Sequence, residues 1–385
     1  MALTLSDRHN CVLQSEIRNM SNECRRIGGI NLSQGVCDTP VPDIVLQGAA
    51  EALHSGINTY THYAGLPELR EAIALKQSRC TAIHADPESE IIVSAGATGA
   101  LYCAFQALLN PGDEVILFEP FYGYHISTLQ ASGAVPVYLS LHAPEWSFTP
   151  EDLERVVSPR TRGIIVNTPA NPSGKVFSKG ELEVVAAFAE RYDLIVFTDE
   201  IYEHFIYGAH RHTPFAALPG MKERTITVSG ASKTFSVTGW RIGYVICAAR
   251  WAQSIGHFND LVYVCAPAPL QAGVARGLRE LGEEYYRALS LEYEAKRDRF
   301  CGALAAAGLE PCIPDGAYYV LADVSRIPGK TSKERAMHIL RSTGIASVPA
   351  SAFYHDGSGE SMVRFCFAKD DSVLDEACRR LQLLA

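Results

Sequence analysis

The sequence predicts an α/β protein: a mostly parallel sheet covered by helices on both faces, with a smaller α+β domain after it. Three observations lead there. Short β-branched apolar runs alternate with longer helical stretches between about residues 66 and 247, the order that winds into a parallel sheet. Most of these runs are continuously apolar, as strands buried on both faces must be. From Glu283 onward the order changes to one long charged helix followed by strand, helix, strand.

Taken in order, Ile91–Ala95, Val115–Phe118, Gly163–Asn167, Leu194–Thr198, Thr225–Ser229 and Tyr244–Cys247 read as strands. Leu66–Cys80, Thr98–Leu109 and Glu181–Tyr192 read as helices around them, and Pro111-Gly112-Asp113 stops the second of these. Glu283–Ala307 reads as the long helix; Tyr318–Asp323, Lys333–Ser342 and Val363–Ala368 read as the strand, helix and strand of the smaller domain. The segment up to Pro42 shows no sheet of its own and is expected to pack there too. With 385 residues the chain is long enough for two domains, expected as a large one over 43–285 and a small one from 1–42 together with 286–385.

Composition narrows the function. At 47% apolar and 20% charged the chain is an ordinary globular protein. A net charge of −9 argues against nucleic acid as a partner, which needs a basic face; small anions need only one or two well-placed cations. No apolar run reaches the length of a membrane span, and Met1–Asn10 lacks a signal-type apolar core. Eleven cysteines, an odd number with no Cys-x-x-Cys pair, fit buried thiols in a reducing compartment. The even steps from Cys11 to Cys24 to Cys37 are too long for a metal site. His204, His210 and His212 read as surface histidines of a loop. The expectation is a cytoplasmic protein without a metal.

Ligands of an open parallel sheet gather at the carboxyl ends of its strands, and distinctive polar residues fall there. Ile91–Ala95 runs into Gly96-Ala97-Thr98-Gly99 and a helix, where small residues, free N–H groups and a hydroxyl suit a phosphate; no lysine follows, so this is not a P-loop. Gly163–Asn167 leads into Asn167-Thr168-Pro169-Ala170-Asn171-Pro172, a turn rigid enough to hold one amide in place. Leu194–Thr198 delivers Asp199, Glu200 and Tyr202. Asp199 reads either as a helix cap or as the partner of a cationic ring nitrogen. Thr225–Ser229 is followed by Gly230-Ala231-Ser232-Lys233 and, eight residues on, Arg241. A lysine among small uncharged residues is desolvated, which lowers its pKa and frees the lone pair for Schiff-base chemistry. Arg241 can clamp a phosphate with parallel donors.

Phosphate cradle, fixed asparagine, aspartate with tyrosine, and lysine with arginine, in this order, resemble the aspartate aminotransferase family of class I and II, fold type I pyridoxal-phosphate enzymes. The resemblance runs from about Ile30 to Ala368. It implies a seven-stranded sheet, pyridoxal 5'-phosphate as cofactor and amino-group transfer between an amino acid and a 2-oxo acid. Lys233 would hold the cofactor as a Schiff base and later move the proton at Cα, and Asp199 would pair with the ring nitrogen. Asn171 and Tyr202 would bond the ring oxygen. Ala97, Thr98 and Arg241 would hold the phosphate, and Tyr122 would stack on the ring. Tyr60, in Asn58-Thr59-Tyr60, matches the tyrosine that reaches the neighbouring subunit's phosphate, which implies a homodimer with shared active sites. Arg364, in Val363-Arg364-Phe365, matches the arginine that grips the substrate α-carboxylate, and an arginine inside an apolar strand is costly without an anionic partner. Gly35 resembles the glycine whose backbone meets the same carboxylate.

The sequence departs from the pattern in three places. Gly230 stands where a phosphate-binding serine is usual, with Ser229 or Ser232 as its substitutes. Cys37 replaces a proline after Gly35, and Ala350 replaces a glycine. Phe121-Tyr122-Gly123-Tyr124-His125 looks most like kynurenine and glutamine aminotransferases, and 260–275 contains no arginine for a distal carboxylate. A neutral, apolar or aromatic amino donor is therefore expected. The alternative is another reaction on the same cofactor, an elimination or a cyclisation.

Overall fold

The computed structural model describes residues 15–81 and 83–384; the expectations drawn on Met1–Asn10 and on Cys11 lie outside them. In chain order the described strands are β1 Ile30–Asn31, β2 Ile91–Ala95, β3 Glu114–Glu119, β4 Val135–Ser140, β5 Thr161–Asn167, β6 Ile195–Asp199, β7 Thr225–Gly230, β8 Ile242–Ile246, β9 Glu310–Cys312, β10 Tyr319–Asp323, β11 Ile345–Ala346, β12 Val348–Pro349 and β13 Met362–Cys366. The helices are α1 Glu16–Ile27, α2 Asp43–His54, α3 Pro67–Cys80, α4 Gly96–Leu108, α5 Gly123–Ala131, α6 Pro150–Val156, α7 Lys179–Arg191, α8 Ala231–Thr234, α9 Ala249–Tyr263, α10 Ala268–Glu280, α11 Glu283–Ala306, α12 Ser332–Thr343 and α13 Asp371–Leu381.

Seven strands form one sheet in the order β2-β8-β7-β6-β5-β3-β4. β8 is antiparallel to both its neighbours, and the remaining pairings are parallel. The fold is the α/β architecture read from sequence, and each of the six expected strands is present. β4 is the seventh. Its Pro136 argues against a strand, but β4 lies on the sheet edge, where a missing N–H is tolerated. Because β2 and β7 are both antiparallel to β8, they point the same way, and the carboxyl ends of β2, β5, β6 and β7 share one side. Register levels them: Asn167 pairs with Asp199, and Asp199 with Val228.

A four-stranded antiparallel sheet, β12-β13-β10-β9, is built from the C-terminal part of the chain. β1 pairs in parallel with β11, Ile30 opposite Ile345. Cys366 on β13 donates its N–H to the Leu32 carbonyl, so the residues just after β1 lie alongside that sheet. Helix starts are fixed locally: at α7 the Ser178 side chain accepts from the Glu181 N–H while Glu181 reaches back to the Ser178 N–H.

A buried ion pair braces the strand ends from below. Lys76 on α3 lies 2.5 Å from Glu203 Oε2, both side chains under 5% exposed, and Ser229 on β7 donates to Glu203 Oε1 at 2.8 Å. Burial by itself would raise the Glu203 carboxyl; the Lys76 ammonium outweighs it and holds the group down at about 2. With the folded value below the ordinary 4.5, this contribution to stability is complete above that value and is lost as pH falls toward 2. Glu203→Gln is expected to lower the unfolding free energy by about 3–5 kcal/mol, because Lys76 is left charged and buried. Urea unfolding at neutral pH checks this; a loss below about 1 kcal/mol would show that the pair does not brace the fold.

Candidate functional site

The carboxyl ends of β2, β5, β6 and β7 open into a cleft of about 750 Å³. Ten of the eleven residues singled out in the sequence line it: Gly35, Ala97, Thr98, Tyr122, Asn171, Asp199, Tyr202, Lys233, Arg241 and Arg364. Tyr60 does not. It sits on the loop before α3, 81% exposed, and does not line the cleft of its own chain.

One end of the cleft is cationic. Ala97 and Thr98 lie in the first turn of α4, where N–H groups have no partner within the helix and its positive dipole end emerges. Arg241 has a left-handed backbone, φ 56°, and its Nη1 donates to the Thr238 carbonyl at 2.8 Å. Its guanidinium lies against Gly96, whose left-handed backbone, φ 75°, favours glycine.

The floor holds a carboxylate and an amine. Asp199 ends β6, with its Oδ2 2.8 Å from His125 Nε2, both side chains buried. Lys233 lies in the short helix after β7, and its Nζ donates to the Gly35 carbonyl at 3.1 Å. Burial pushes the Lys233 ammonium below its ordinary range, with the Arg241 charge adding to the effect, against Cys37, Cys366 and Asp199. The Tyr202 hydroxyl meets that of Tyr319 at 2.9 Å. Burial and the Tyr319 neighbour raise the Tyr202 phenol well above its usual value, so it stays a neutral hydrogen-bonding group.

Arg364, on β13, closes the far wall and is 1% exposed. Its Nη1 donates to Asn171 Oδ1 at 2.8 Å, and its Nη2 donates to the Ser33 carbonyl. The guanidinium stacks 4.4 Å from the Tyr319 ring centroid and 5.1 Å from that of Phe353. Its Nε has no partner, and among the described residues no carboxylate lies within ion-pair distance of it. Gly35 is held so close beneath the Tyr319 hydroxyl that a Cβ there would overlap it.

The departures from the family pattern have local reasons. A Cβ at Gly230 would stand 2.8 Å from the Gly243 Cα and from the Ile242 carbonyl oxygen, so β7 and β8 pack too closely for a side chain. Ser229 turns away to Glu203, whereas Ser232 lines the cleft. The expectation of three surface histidines needs correcting. His204 stacks on Tyr286 at 4.1 Å between centroids, and burial drives its pKa down to about 3. His212, with its side chain 8% exposed, meets Glu200 at 2.9 Å; His210 is the exposed one of the three, beside Asp315. Among the cleft residues that the sequence does not single out as site residues are His125 and Tyr319. His125 lies in the first turn of α5, just after the extended residue Tyr122 that caps this helix, and its closeness to Tyr122 in the chain is the available signal.

A family model for aminotransferases of class I and II matches residues 27–381. The chain belongs to this family. Kynurenine–oxoglutarate transaminase 3 of Rattus norvegicus is 36% identical over 378 residues, covering 90% of this chain and 83% of the rat protein. A probable N-succinyldiaminopimelate aminotransferase of Mycobacterium tuberculosis is 37% identical over 377 residues, 95% of each chain. The solved N-succinyldiaminopimelate aminotransferase of Mycobacterium tuberculosis superposes with a TM-score of 0.96 at 36% identity, over 99% of this chain and 100% of that one. An Escherichia coli protein with a methionine aminotransferase function superposes with a TM-score of 0.94 at 32% identity, over 99% and 100%.

The protein is thus a fold type I aminotransferase, a transferase of amino groups that uses pyridoxal 5'-phosphate. The cleft fits that cofactor chemically. It offers a cation with free N–H groups for the phosphate, a carboxylate for the ring nitrogen, a desolvated amine for the aldehyde and a tyrosine face for the ring. Its volume lies in the range of small-molecule sites. No helix among the described residues is long and apolar enough to cross a membrane.

Proposed function

We propose that this aminotransferase takes the amino group of an L-amino acid with a neutral, apolar or aromatic side chain and passes it to a 2-oxo acid, in two half-reactions at one cleft. The reading rests on a buried guanidinium with no carboxylate partner among the described residues, Arg364, facing the same cleft as the desolvated amine of Lys233. An amino acid presents a carboxylate to the first and an amino group and Cα proton to the second.

Pyridoxal phosphate, when bound, supplies an aldehyde that combines with amino groups and a ring that draws off the electron pair left at Cα. The chain's own residues do the rest. Lys233 would hold the aldehyde covalently, and once displaced by substrate its neutral amine would be placed to take the proton from the substrate Cα. Asp199 would offset the ring-nitrogen charge, and His125 holds that carboxylate in place. Asn171 accepts from Arg364 through its Oδ1, so its N–H₂ and the Tyr202 hydroxyl would be the groups left for the cofactor's ring oxygen, and Tyr122 would supply an aromatic face for the ring. Ala97, Thr98 and Arg241 would hold the phosphate, with Ser232 in place of the serine absent at 230. Arg364 and the Gly35 backbone grip the α-carboxylate. The neutral donor is supported by the apolar wall of Ile17, Leu101, Tyr122 and Tyr124.

The assembly read here is a homodimer in which Tyr60 reaches the partner's phosphate. In support, Tyr60 adjoins an exposed apolar stretch: Leu261 is 80% exposed, Val262 and Val264 are partly so, and the Thr61 N–H meets Cys265 Sγ at 3.4 Å. Patches of this kind mark interfaces. The domains are read as 43–285 and as 1–42 with 286–385, supported by the separate sheets of the two regions. A cytoplasmic site is supported by the ten described cysteines, all free.

The test is an absorbance titration of the purified holoenzyme with a panel of amino acids, together with its solution mass. Methionine, kynurenine and phenylalanine are expected to convert the cofactor stoichiometrically to its amine form with release of the 2-oxo acid. A strong preference for aspartate overturns the donor reading, and a fully active monomer overturns the shared site.

A further inference from the structure

The cleft has one more wall, and it is supplied by α1. Arg18, Ser21, Asn22 and Arg25 line it, at i, i+3, i+4 and i+7, a single helix face. Other charges of α1 are paired: Arg26 with Glu23 at 2.9 Å and Glu16 with Lys333 at 3.1 Å. The cations facing the cleft are different. The Arg25 guanidinium donates to Asn22 Oδ1 at 3.2 Å, and Arg18 has no side-chain hydrogen bond or ion pair among the described residues. This face is tied to Arg364. Ser21 Oγ lies 3.1 Å from Ser33 Oγ, and the Ser33 carbonyl accepts from the Arg364 guanidinium. Ile17, beside Arg18, packs in the cluster that holds Phe353, the ring under Arg364. No residue of 260–275 lines this cleft.

We propose that Arg18 is a specificity-determining residue that takes the distal carboxylate of a dicarboxylic 2-oxo acid while Arg364 holds its α-carboxylate. The proposal rests on the reading of Arg364 given above. A two-half-reaction enzyme must fit both its partners into one cleft. The neutral donor side chain lies on Leu101, Tyr122 and Tyr124. The acidic acceptor needs a second cation that is present for it and absent for the donor. An exposed arginine on a long stem meets that need: it pairs with a carboxylate through two parallel bonds and swings into solvent when the side chain is neutral.

Calorimetry on the holoenzyme with maleate, an unreactive dicarboxylate, and propionate, a monocarboxylate, tests this. Arg18→Gln is expected to weaken maleate binding by about tenfold to a hundredfold, the scale of a lost hydrogen-bonded charge contact, with little change for propionate. Arg18→Lys should recover part of the loss. Single-turnover reactions of the amine form with 2-oxoglutarate and with pyruvate should divide the same way, in the half-saturating concentration rather than in the rate at saturation. Unchanged maleate binding overturns the proposal, as do equal losses for both acids or a loss confined to Arg25→Gln. Arg364→Gln is expected to lose both acids; if it retains them, the reading of Arg364 falls and the proposal with it, whereas a failure at Arg18 alone leaves that reading intact.

Discussion

Lys233→Ala is expected to lower turnover by on the order of 10⁴ or more while the protein stays folded. General acid–base transfer alone accounts for about 10²–10⁴, and the variant also loses the covalent hold on the cofactor. The fold does not need this amine. Among the described residues its one hydrogen bond is to the Gly35 carbonyl, and burial already works against its charged form, so removing it relieves a desolvation cost. Thermal unfolding should therefore be close to wild type, and small exogenous amines should restore part of the rate by entering the space left. The wild-type amine carries a pH signature as well. Burial lowers its pKa, so the reactive neutral amine is populated at lower pH than for a free lysine. Reconstitution of apoenzyme with pyridoxal phosphate should thus speed up with pH along a curve whose midpoint lies below 10.5, the ordinary lysine value. Turnover in Lys233→Ala within about tenfold of wild type would remove Lys233 from the reaction.

The sequence disclosed the parts of this site that are local in the chain. A strand buried on both faces, such as Ile91–Ala95, announces itself by composition, and the residue at its carboxyl end then has a known place. That logic picks out Ala97, Asn171, Asp199 and Lys233 from the sequence, and all four line the cleft. What it could not disclose were contacts set by three-dimensional packing. His125 and Asp199 are 74 residues apart, and Tyr202 and Tyr319 are 117 apart; neither pair has a spacing that a linear reading can detect. β4 was hidden because Pro136 carries a local penalty that only its edge position removes. The histidines of 204–212 were misplaced for a similar reason. Their stretch is loop-like, yet Tyr286 reaches it from far along the chain and Glu200 folds back on it from just before, covering two of them. A cation for a distal carboxylate was sought in 260–275, whereas α1 brings Arg18 and Arg25 to the cleft from the opposite end of the chain.

Arg364→Met is expected to separate stability from function. In the free protein Arg364 is a buried charge whose partners are a side-chain amide oxygen and a backbone carbonyl, with Nε unpaired. Holding a cation under these conditions is costly, and methionine fills apolar space flexibly between Phe353 and Tyr319. The midpoint of thermal unfolding should hold or rise, as is common when a site strained for function is made apolar. Activity should move the other way. Two charge-assisted bonds to the α-carboxylate, each about 1.5–3 kcal/mol, correspond to a loss of about 10²–10⁴ in kcat/KM for every amino acid, whatever its side chain. Ligand-induced stabilisation gives an independent reading. A substrate-like carboxylate at a hundred times its dissociation constant should stabilise the wild type by about 2.7 kcal/mol and should leave Arg364→Met unmoved. If the variant instead melts well below wild type and still responds to the ligand, Arg364 is a structural arginine and the carboxylate is held elsewhere.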